Sequence, residues 1–198
     1  MAAPMTTSQA ARKELTYEEY LRLPEIKRRY EILDGEMVMS PAPISDHQWI
    51  LSELLLLLLE FVRSRKLGVV LPAPVDIIIR KRPKLQTRQP DIVFLSTART
   101  GVRGRKELKQ MPQIEIAPDI AVEILSPEEE RKTWPGKLAD YAEIGVPEVW
   151  LARPEEETIE VLQRKAGSYE RLGLYGQGET VRSAVLPELG FGVGDIFE

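Results

Sequence analysis

The stretch Asp119–Pro127, DIAVEILSP, constrains the fold of this chain more than any other, because it places one carboxylate inside an apolar run. Val122 and Ile124 flank Glu123, and the stretch contains no basic residue. A charged group desolvated among such neighbours costs several kcal/mol unless a partner or a cation balances it. We therefore expect a buried strand whose Glu123 faces either a basic side chain from elsewhere in the fold or a bound cation.

The residue types present exclude several kinds of chemistry. The 198 residues include no cysteine and a single histidine, His47. Disulfides, thiolate nucleophiles, sulfur-bound zinc and histidine-rich metal sites are therefore excluded. Any catalysis must use carboxylates, lysine, tyrosine or hydroxyls. The length suits one domain, which we place at residues 14–198, after a polar lead-in at residues 1–13 that we expect to be disordered.

A run of six leucines, Leu54–Leu59, is the most apolar segment of the chain. Extended to Trp49–Val62, it is still shorter than the about 20 residues of a membrane span, and it contains Glu53 and Glu60. We predict a core helix, no membrane partner and, because the N-terminus carries no apolar signal segment, a cytoplasmic location. A helix that is apolar on most of its circumference needs cover on more than one side, from another layer of the same chain or from a second subunit in a homodimer.

Basic residues are concentrated between positions 80 and 109. This segment holds ten basic and two acidic residues, a net charge of +8, so the rest of a chain whose total charge is −4 carries −12. One basic segment on an acidic protein is typical of a phosphate-facing surface, and the alternative is a pair of solvated loops. The candidate nucleic-acid-binding residues are Arg82, Arg88, Arg103, Arg105 and Lys106.

Patterns along the chain predict one α/β domain with helices flanking a mixed sheet. A short helix capped by Thr16 and a hairpin turning at Asp34-Gly35 come first. A long helix, about residues 46–66, is followed by three strands, APVDIIIR, PDIVFLS and DIAVEILSP. A helix near 134–144, the strands EVWLARP and TIEVLQR, and C-terminal edge elements complete the order. A long connection, about 97–118, separates the second and third strands, and connections of that length are often functional.

A second carboxylate, Asp91, begins the second strand directly after Pro90. If the second and third strands are neighbours, Asp91 and Glu123 converge. Two adjacent carboxylates repel unless a cation lies between them, and magnesium is bound by one or two carboxylates together with water and phosphate oxygens. Lys137, on the helix that follows, has the reach to contact the carboxylates or a metal-bound water.

These residues carry a resemblance. Asp91 in QPD, Glu123 in VEILSP and the α-β-β-β-α-β order resemble the PD-(D/E)XK nuclease fold, which is restriction-endonuclease-like. More closely, the chain resembles the Uma-two family of proposed restriction endonucleases. The matching stretches, in order, are YEILDGE, MSPAPISDHQ, APVDI, QPDIV, PDIAVEILSP, KLADYAEIGVPEVW and LPELGF.

The resemblance implies roles for individual residues. Asp91 and Glu123 are implied as ligands of Mg²⁺ or Mn²⁺, and Glu31 as an auxiliary acidic residue of the catalytic site. Leu125 stands where the nuclease motif has lysine, and Lys137 matches the position to which the family has moved it. His47 matches a position that is usually histidine, whereas Thr133 stands where members tend to have aspartate.

The implied function is metal-dependent hydrolysis of phosphodiester bonds in DNA by an endonuclease. Two alternatives remain at this point. The first is a catalytically inactive nuclease-fold protein that serves as a nucleic-acid-binding or assembly module. The second is an oligomeric scaffold in which Glu123 and Lys137 form a buried ion pair without a metal.

Overall fold

The computed structural model describes residues 14–24, 26 and 28–198, so the lead-in predicted at 1–13 lies outside the described residues. The helices are Tyr17–Tyr20 (α1), Ser45–Ser64 (α2), Thr97–Thr100 (α3), Arg105–Leu108 (α4), Pro127–Ile144 (α5) and Gly194–Phe197 (α6). The strands are Tyr30–Leu33 (β1), Glu36–Met39 (β2), Gly68–Pro72 (β3), Ile77–Arg80 (β4), Gln86–Arg88 (β5), Ile92–Ser96 (β6), Ile120–Ile124 (β7), Glu148–Arg153 (β8), Thr158–Lys165 (β9), Ser168–Tyr175 (β10), Thr180–Arg182 (β11) and Gly190–Gly192 (β12).

A six-stranded mixed sheet, ordered β10-β9-β8-β7-β6-β3, runs through the centre of the fold. Neighbouring strands are antiparallel except β7 and β8, which are parallel. Parallel neighbours need a crossover connection, and α5 supplies it. The elements α2, β3, β6, β7, α5 and β8 reproduce the predicted α-β-β-β-α-β order, and the predicted class of mixed sheet with flanking helices is confirmed.

The first strand of this core is not the one predicted. The stretch APVDIIIR contains β4, which pairs with β5 in a separate hairpin, and β3 takes its place by pairing antiparallel with β6. Gly68, two residues after the predicted end of the long helix, begins β3. A Cβ at Gly68 would lie 2.0 Å from the Leu95 carbonyl oxygen, so glycine permits this close approach. The helix itself ends at Ser64 rather than Lys66.

Helix α2 covers one face of the sheet. Its buried residues Ile50, Leu54, Leu58 and Val62 pack in the same core as the inward side chains of β6, β7 and β8. The C-terminal strands β11 and β12 and helix α6 supply further cover, because their apolar residues belong to that core. Leu56 on the outer side remains 61% exposed. Among the described residues, no helix combines the length and the apolar character that crossing a bilayer requires.

Helix α5 covers the opposite face. It begins at Pro127, earlier than the predicted start near Trp134, because Ser126 and Glu129 form a capping box and proline is tolerated in the first turn. It ends at Gly145, whose φ of +83° is the left-handed conformation that favours glycine. Tyr141 of α5 packs against Ala121 and Val149 of the sheet.

Two hairpins and α1 form a smaller unit beside the central sheet. Thr16 caps α1 as predicted, in a capping box with Glu19, and the predicted turn at Asp34-Gly35 is present. Strands β1 and β2 form one hairpin, β4 and β5 the other, and apolar side chains from both pack with α1. This unit carries basic and acidic side chains to the end of the sheet at which β6 begins.

Candidate active site

Asp91 and Glu123 lie side by side where β6 begins and β7 ends. The antiparallel register pairs Ile92 with Val122. The Asp91 backbone N–H donates to the Val122 carbonyl at 3.0 Å, and the Ile124 N–H donates to Asp91 Oδ2 at 2.7 Å. The predicted neighbouring of the two strands is therefore confirmed, and it brings both carboxylates to one end of the sheet.

Glu123 receives its partners from α5. Lys137 Nζ lies 2.7 Å from Glu123 Oε2, and the Tyr141 hydroxyl donates to Glu123 Oε1. Residues four apart on a helix share one face, which is why both α5 side chains reach the same carboxylate. Glu123 is 0% exposed and Lys137 only 7%. Thr133, one turn earlier, is exposed and its hydroxyl donates to the Glu129 carbonyl, so it is not directed at Glu123.

Two side chains from outside the central sheet contact the Asp91 carboxylate. Arg29 Nη1 lies 2.6 Å from Asp91 Oδ1, and the same guanidinium also donates to the Gln89 carbonyl. His47, in the first turn of α2, places Nε2 3.4 Å from Asp91 Oδ2. The His47 Nδ1 atom is buried and has no hydrogen-bond partner among the described residues.

The two carboxyl groups differ in their affinity for a proton. Burial acts to raise the pKa of Asp91, but the contacts from His47 and Arg29 outweigh it and lower that pKa to about 2. Burial raises the pKa of Glu123 against the opposing effect of Lys137, and the nearby charge of Asp91 raises it further. The pKa of Lys137 is raised because Glu123, Glu31 and Asp91 outweigh the opposing effect of its burial. Lys137 is therefore protonated at neutral pH.

Glu31 belongs to an adjoining ion-pair network. It lies in β1 and accepts hydrogen bonds from Arg88 Nη1 at 2.8 Å and from the Gln89 backbone N–H at 3.1 Å. Arg88 Nε lies 2.6 Å from Asp140 Oδ2 on α5. Arg88, predicted to contact nucleic acid, is 5% exposed and is held between two carboxylates.

The donor set fits a hard divalent cation that takes part of its coordination from outside the protein. Among the described residues, no group of three or more acidic, histidine or cysteine side chains forms a metal site by itself. Asp91 and Glu123 nevertheless supply two buried carboxylates that lie close enough for the charge of Asp91 to raise the pKa of Glu123. Magnesium is commonly held by one or two carboxylates, with water and phosphate oxygens completing its shell.

The predicted basic surface is smaller than the sequence indicated. Six of the ten basic residues in the segment pair with acids: Arg80 with Glu143, Lys81 with Glu115, Arg82 with Glu18, Lys84 with Glu14, Arg88 with Glu31 and Asp140, and Arg99 with Asp119. Arg103, Arg105 and Lys106 are exposed in and before α4. These three residues lie in the connection between β6 and β7, at the opposite end of the two strands from the carboxylates. Each strand has five residues. At about 3.3 Å per residue, the strand ends that carry this connection are about 16 Å from the carboxylates.

Two contributors to the site escaped prediction from the sequence. Arg29 precedes β1 in a short basic run, and its contact with Asp91 spans 62 positions, so no local pattern indicates it. Asp140 lies three residues after Lys137 on the same helix face and binds Arg88 and Gln86. Its spacing from Lys137 is the one signal that could have indicated a shared site.

Comparison with known proteins identifies the family and the fold. A solved structure from Anabaena variabilis, described as a "putative nuclease belonging to DUF820", is 22% identical with a TM-score of 0.74, and the match covers 92% of this chain and 97% of that one. No protein of curated function matches the chain. The model of the Uma2 family, described as "Putative restriction endonuclease", matches residues 17–194. The chain therefore belongs to the Uma2 family and has the fold of its nuclease-like structural neighbour.

Proposed function

We propose that this protein is an endonuclease that hydrolyses phosphodiester bonds in DNA with the help of Mg²⁺ or Mn²⁺. The observation that carries the proposal is the meeting of two buried carboxylates, Asp91 and Glu123, with the ammonium group of Lys137 at one end of the sheet. Family membership supports action on nucleic acid. Asp91 and Glu123 are the proposed metal ligands.

The proposed chemistry divides between a bound ion and the side chains. A divalent ion at such a site polarises a phosphoryl oxygen and lowers the pKa of an attacking water. Lys137 is protonated and already within hydrogen-bond distance of Glu123. It donates to the attacking water or to the charge that develops on phosphate oxygens. Tyr141 orients Glu123 through its hydroxyl, and Glu31 holds Arg88 and the Gln89 N–H beside the site; neither is proposed to contact the substrate.

Exposed basic side chains are the proposed contacts of the DNA backbone. Arg103, Arg105 and Lys106 are the exposed members of the predicted set around α4, with Arg82 exposed beside Glu18. The ends of β6 and β7 that carry the connection with Arg103, Arg105 and Lys106 lie about 16 Å from the carboxylates at about 3.3 Å per strand residue, which corresponds to about five nucleotides at about 3.4 Å each. Phosphate contacts of this kind position a duplex without recognising its sequence.

The test is a cleavage assay on supercoiled plasmid and on a single-stranded oligonucleotide, with Mg²⁺, with Mn²⁺ and with EDTA. Asp91→Asn and Glu123→Gln are expected to lose cleavage, because each removes a proposed ligand while preserving side-chain shape. Glu128→Gln is the matched control, since Glu128 is an exposed partner of Lys132 on α5. Cleavage that persists in Asp91→Asn or Glu123→Gln rejects this assignment of the site.

A second candidate is a nuclease-fold protein that binds nucleic acid without cutting it. One observation favours it: each carboxylate already has a basic partner, Arg29 for Asp91 and Lys137 for Glu123. The two candidates differ in their response to metal. An inactive module binds DNA but shows neither cleavage nor a Mn²⁺-dependent rise in melting temperature.

A further inference from the structure

Arg29 occupies the solvent side of the proposed metal ligand. Its guanidinium is bound to Asp91 Oδ1 at 2.6 Å, and the Arg29 side chain is 22% exposed whereas that of Asp91 is 2% exposed. His47, whose side chain is 16% exposed, contacts the other oxygen, Oδ2, which also accepts the Ile124 N–H. Oδ1, held by Arg29, is therefore the Asp91 oxygen for which an arriving cation would compete with the guanidinium.

We propose that Arg29 and a divalent cation compete for Asp91, and that the displaced guanidinium becomes a ligand of the substrate phosphate. This inference rests on the proposed function. It adds a catalytic residue that acts in two states: it neutralises Asp91 when no metal is bound and binds the reacting phosphate when metal and DNA are present.

Charge balance supports the exchange. Seven charged side chains of the site and its adjoining network form three groups of ion pairs: Arg29 with Asp91, Arg88 with Glu31 and Asp140, and Lys137 with Glu123. The four acids and three bases sum to −1: Asp91, Glu123, Glu31, Asp140, Arg29, Arg88 and Lys137. A divalent ion changes this sum to +1, and a phosphodiester, with one negative charge, returns it to zero. Excess charge in a buried site is costly, so metal and phosphate are favoured together, with Arg29 moving from carboxylate to phosphate.

Among the cations that contact the two carboxylates, Arg29 is better suited to move than Lys137. The Lys137 side chain is 9% exposed and is anchored in the long helix α5. Arg29 lies before β1, and its side chain is more than twice as exposed. A guanidinium has five N–H donors in a planar fork that matches phosphate oxygens. The Arg29 Nη1 and Nη2 groups contact Asp91 and the Gln89 carbonyl. A small rotation of the Arg29 side chain therefore turns these N–H donors from the carboxylate toward a phosphate without a change of fold.

The competition is tested by titrating Mn²⁺ into the full chain without DNA, with isothermal calorimetry as readout. Arg29→Gln is expected to bind Mn²⁺ about tenfold more tightly than wild type, which corresponds to about 1.4 kcal/mol. On supercoiled plasmid at saturating Mn²⁺, the same variant is expected to lose at least about tenfold in kcat, with a smaller change in KM, because the phosphate contact strengthens in the transition state. Arg28→Gln, an exposed neighbour with the same loss of charge, is the control for both measurements.

The outcomes separate this inference from the proposed function. Unchanged or weaker Mn²⁺ binding by Arg29→Gln overturns the competition, and unchanged kcat overturns the transfer to phosphate. Arg29→Lys keeps the charge but not the planar fork. It is expected to fold, to bind Mn²⁺ like wild type and still to lose turnover, so it decides the question if Arg29→Gln does not fold. Mn²⁺ binding that is lost in Asp91→Asn yet unaffected by Arg29→Gln rejects this inference alone, whereas no Mn²⁺ binding by wild type rejects both.

Discussion

Lys137 and Glu123 form an ion pair that is buried from solvent, with Nζ 2.7 Å from Oε2. The pair explains how a carboxylate is tolerated among Val122 and Ile124. Its counter-charge comes from the next helix, 14 positions later. The same contact is compatible with a catalytic lysine and with a purely structural pair, and the two roles make different predictions for stability in the presence of metal.

Replacement of Lys137 tests that distinction. Lys137→Ala is expected to be destabilised by about 3–5 kcal/mol in EDTA, because it leaves a buried charge without a partner. Mn²⁺ at about a hundredfold excess over its Kd restores about 2.7 kcal/mol if the ion binds only the folded state. Urea unfolding with and without Mn²⁺ measures both effects. Lys132→Ala, which removes an exposed partner of Glu128, is the control. Equal stability of the two variants in EDTA would contradict the prediction.

The exposed cations around α4 are expected to control the salt dependence of DNA binding. Each phosphate contact contributes about 0.9 to the slope of log affinity against log salt. The triple variant Arg103→Ala/Arg105→Ala/Lys106→Ala should therefore lose up to about 2.7 from that slope, with cleavage per bound complex retained. Fluorescence anisotropy at several salt concentrations measures it. Lys165→Ala, in the hairpin at the other edge of the sheet, should leave the slope unchanged, and an unchanged slope in the triple variant would assign those cations to ordinary solvated surface.

Stability in acid is expected to depend on Glu160. Burial acts to raise the pKa of Glu160, but hydrogen bonds from Arg153 and Arg171, each at 2.6 Å, outweigh it and lower that pKa. A carboxyl whose pKa is lower in the folded state stabilises the fold above its unfolded pKa of about 4.3, and this contribution is lost as the pH falls through the folded value.

Glu160→Gln should therefore be less stable than wild type at pH 7, by about 1.5–3 kcal/mol for hydrogen bonds to a charged group. The difference should shrink as the pH falls below about 4. Thermal melts between pH 7 and pH 3 measure it. Glu170→Gln, which removes a mostly exposed partner of Lys165 on the same hairpin, should show little difference at any pH. A gap for Glu160→Gln that widens in acid would reverse the sign assigned here.

Helix α2 offers a matched pair of leucines for testing the core. Leu58 is fully buried against the sheet, whereas Leu56 is 61% exposed on the same helix. Leu58→Ala should cost about 2–5 kcal/mol through lost burial and the cavity left behind. Leu56→Ala should cost less than about 0.5 kcal/mol, as surface substitutions usually do. Chemical unfolding measures both. A large loss in Leu56→Ala would indicate that a second subunit buries this side of the helix.

The sequence by itself determined the features that depend on residues close together in the chain. The turn at Asp34-Gly35, the Thr16 capping box and the apolar strand around Glu123 each depend on neighbouring residue types, and each is present. An isolated charge in such a strand requires a partner. The sequence therefore indicates that either a basic side chain or a cation balances Glu123, and the ion pair with Lys137 is the first of these two options.

Tertiary structure alone decided which elements meet. Two apolar runs followed α2, and only pairing with β6 made β3, rather than β4, the first strand of the sheet. Contacts of Arg29 with Asp91 and of Arg88 with Glu31 and Asp140 span 52 to 62 positions. No local sequence pattern indicates the partner of an arginine side chain. The partner is the carboxylate that the packing of strands and helices brings within about 3 Å of the guanidinium. Burial of Arg88, and the loss of most of the basic segment to ion pairs, follow from that packing.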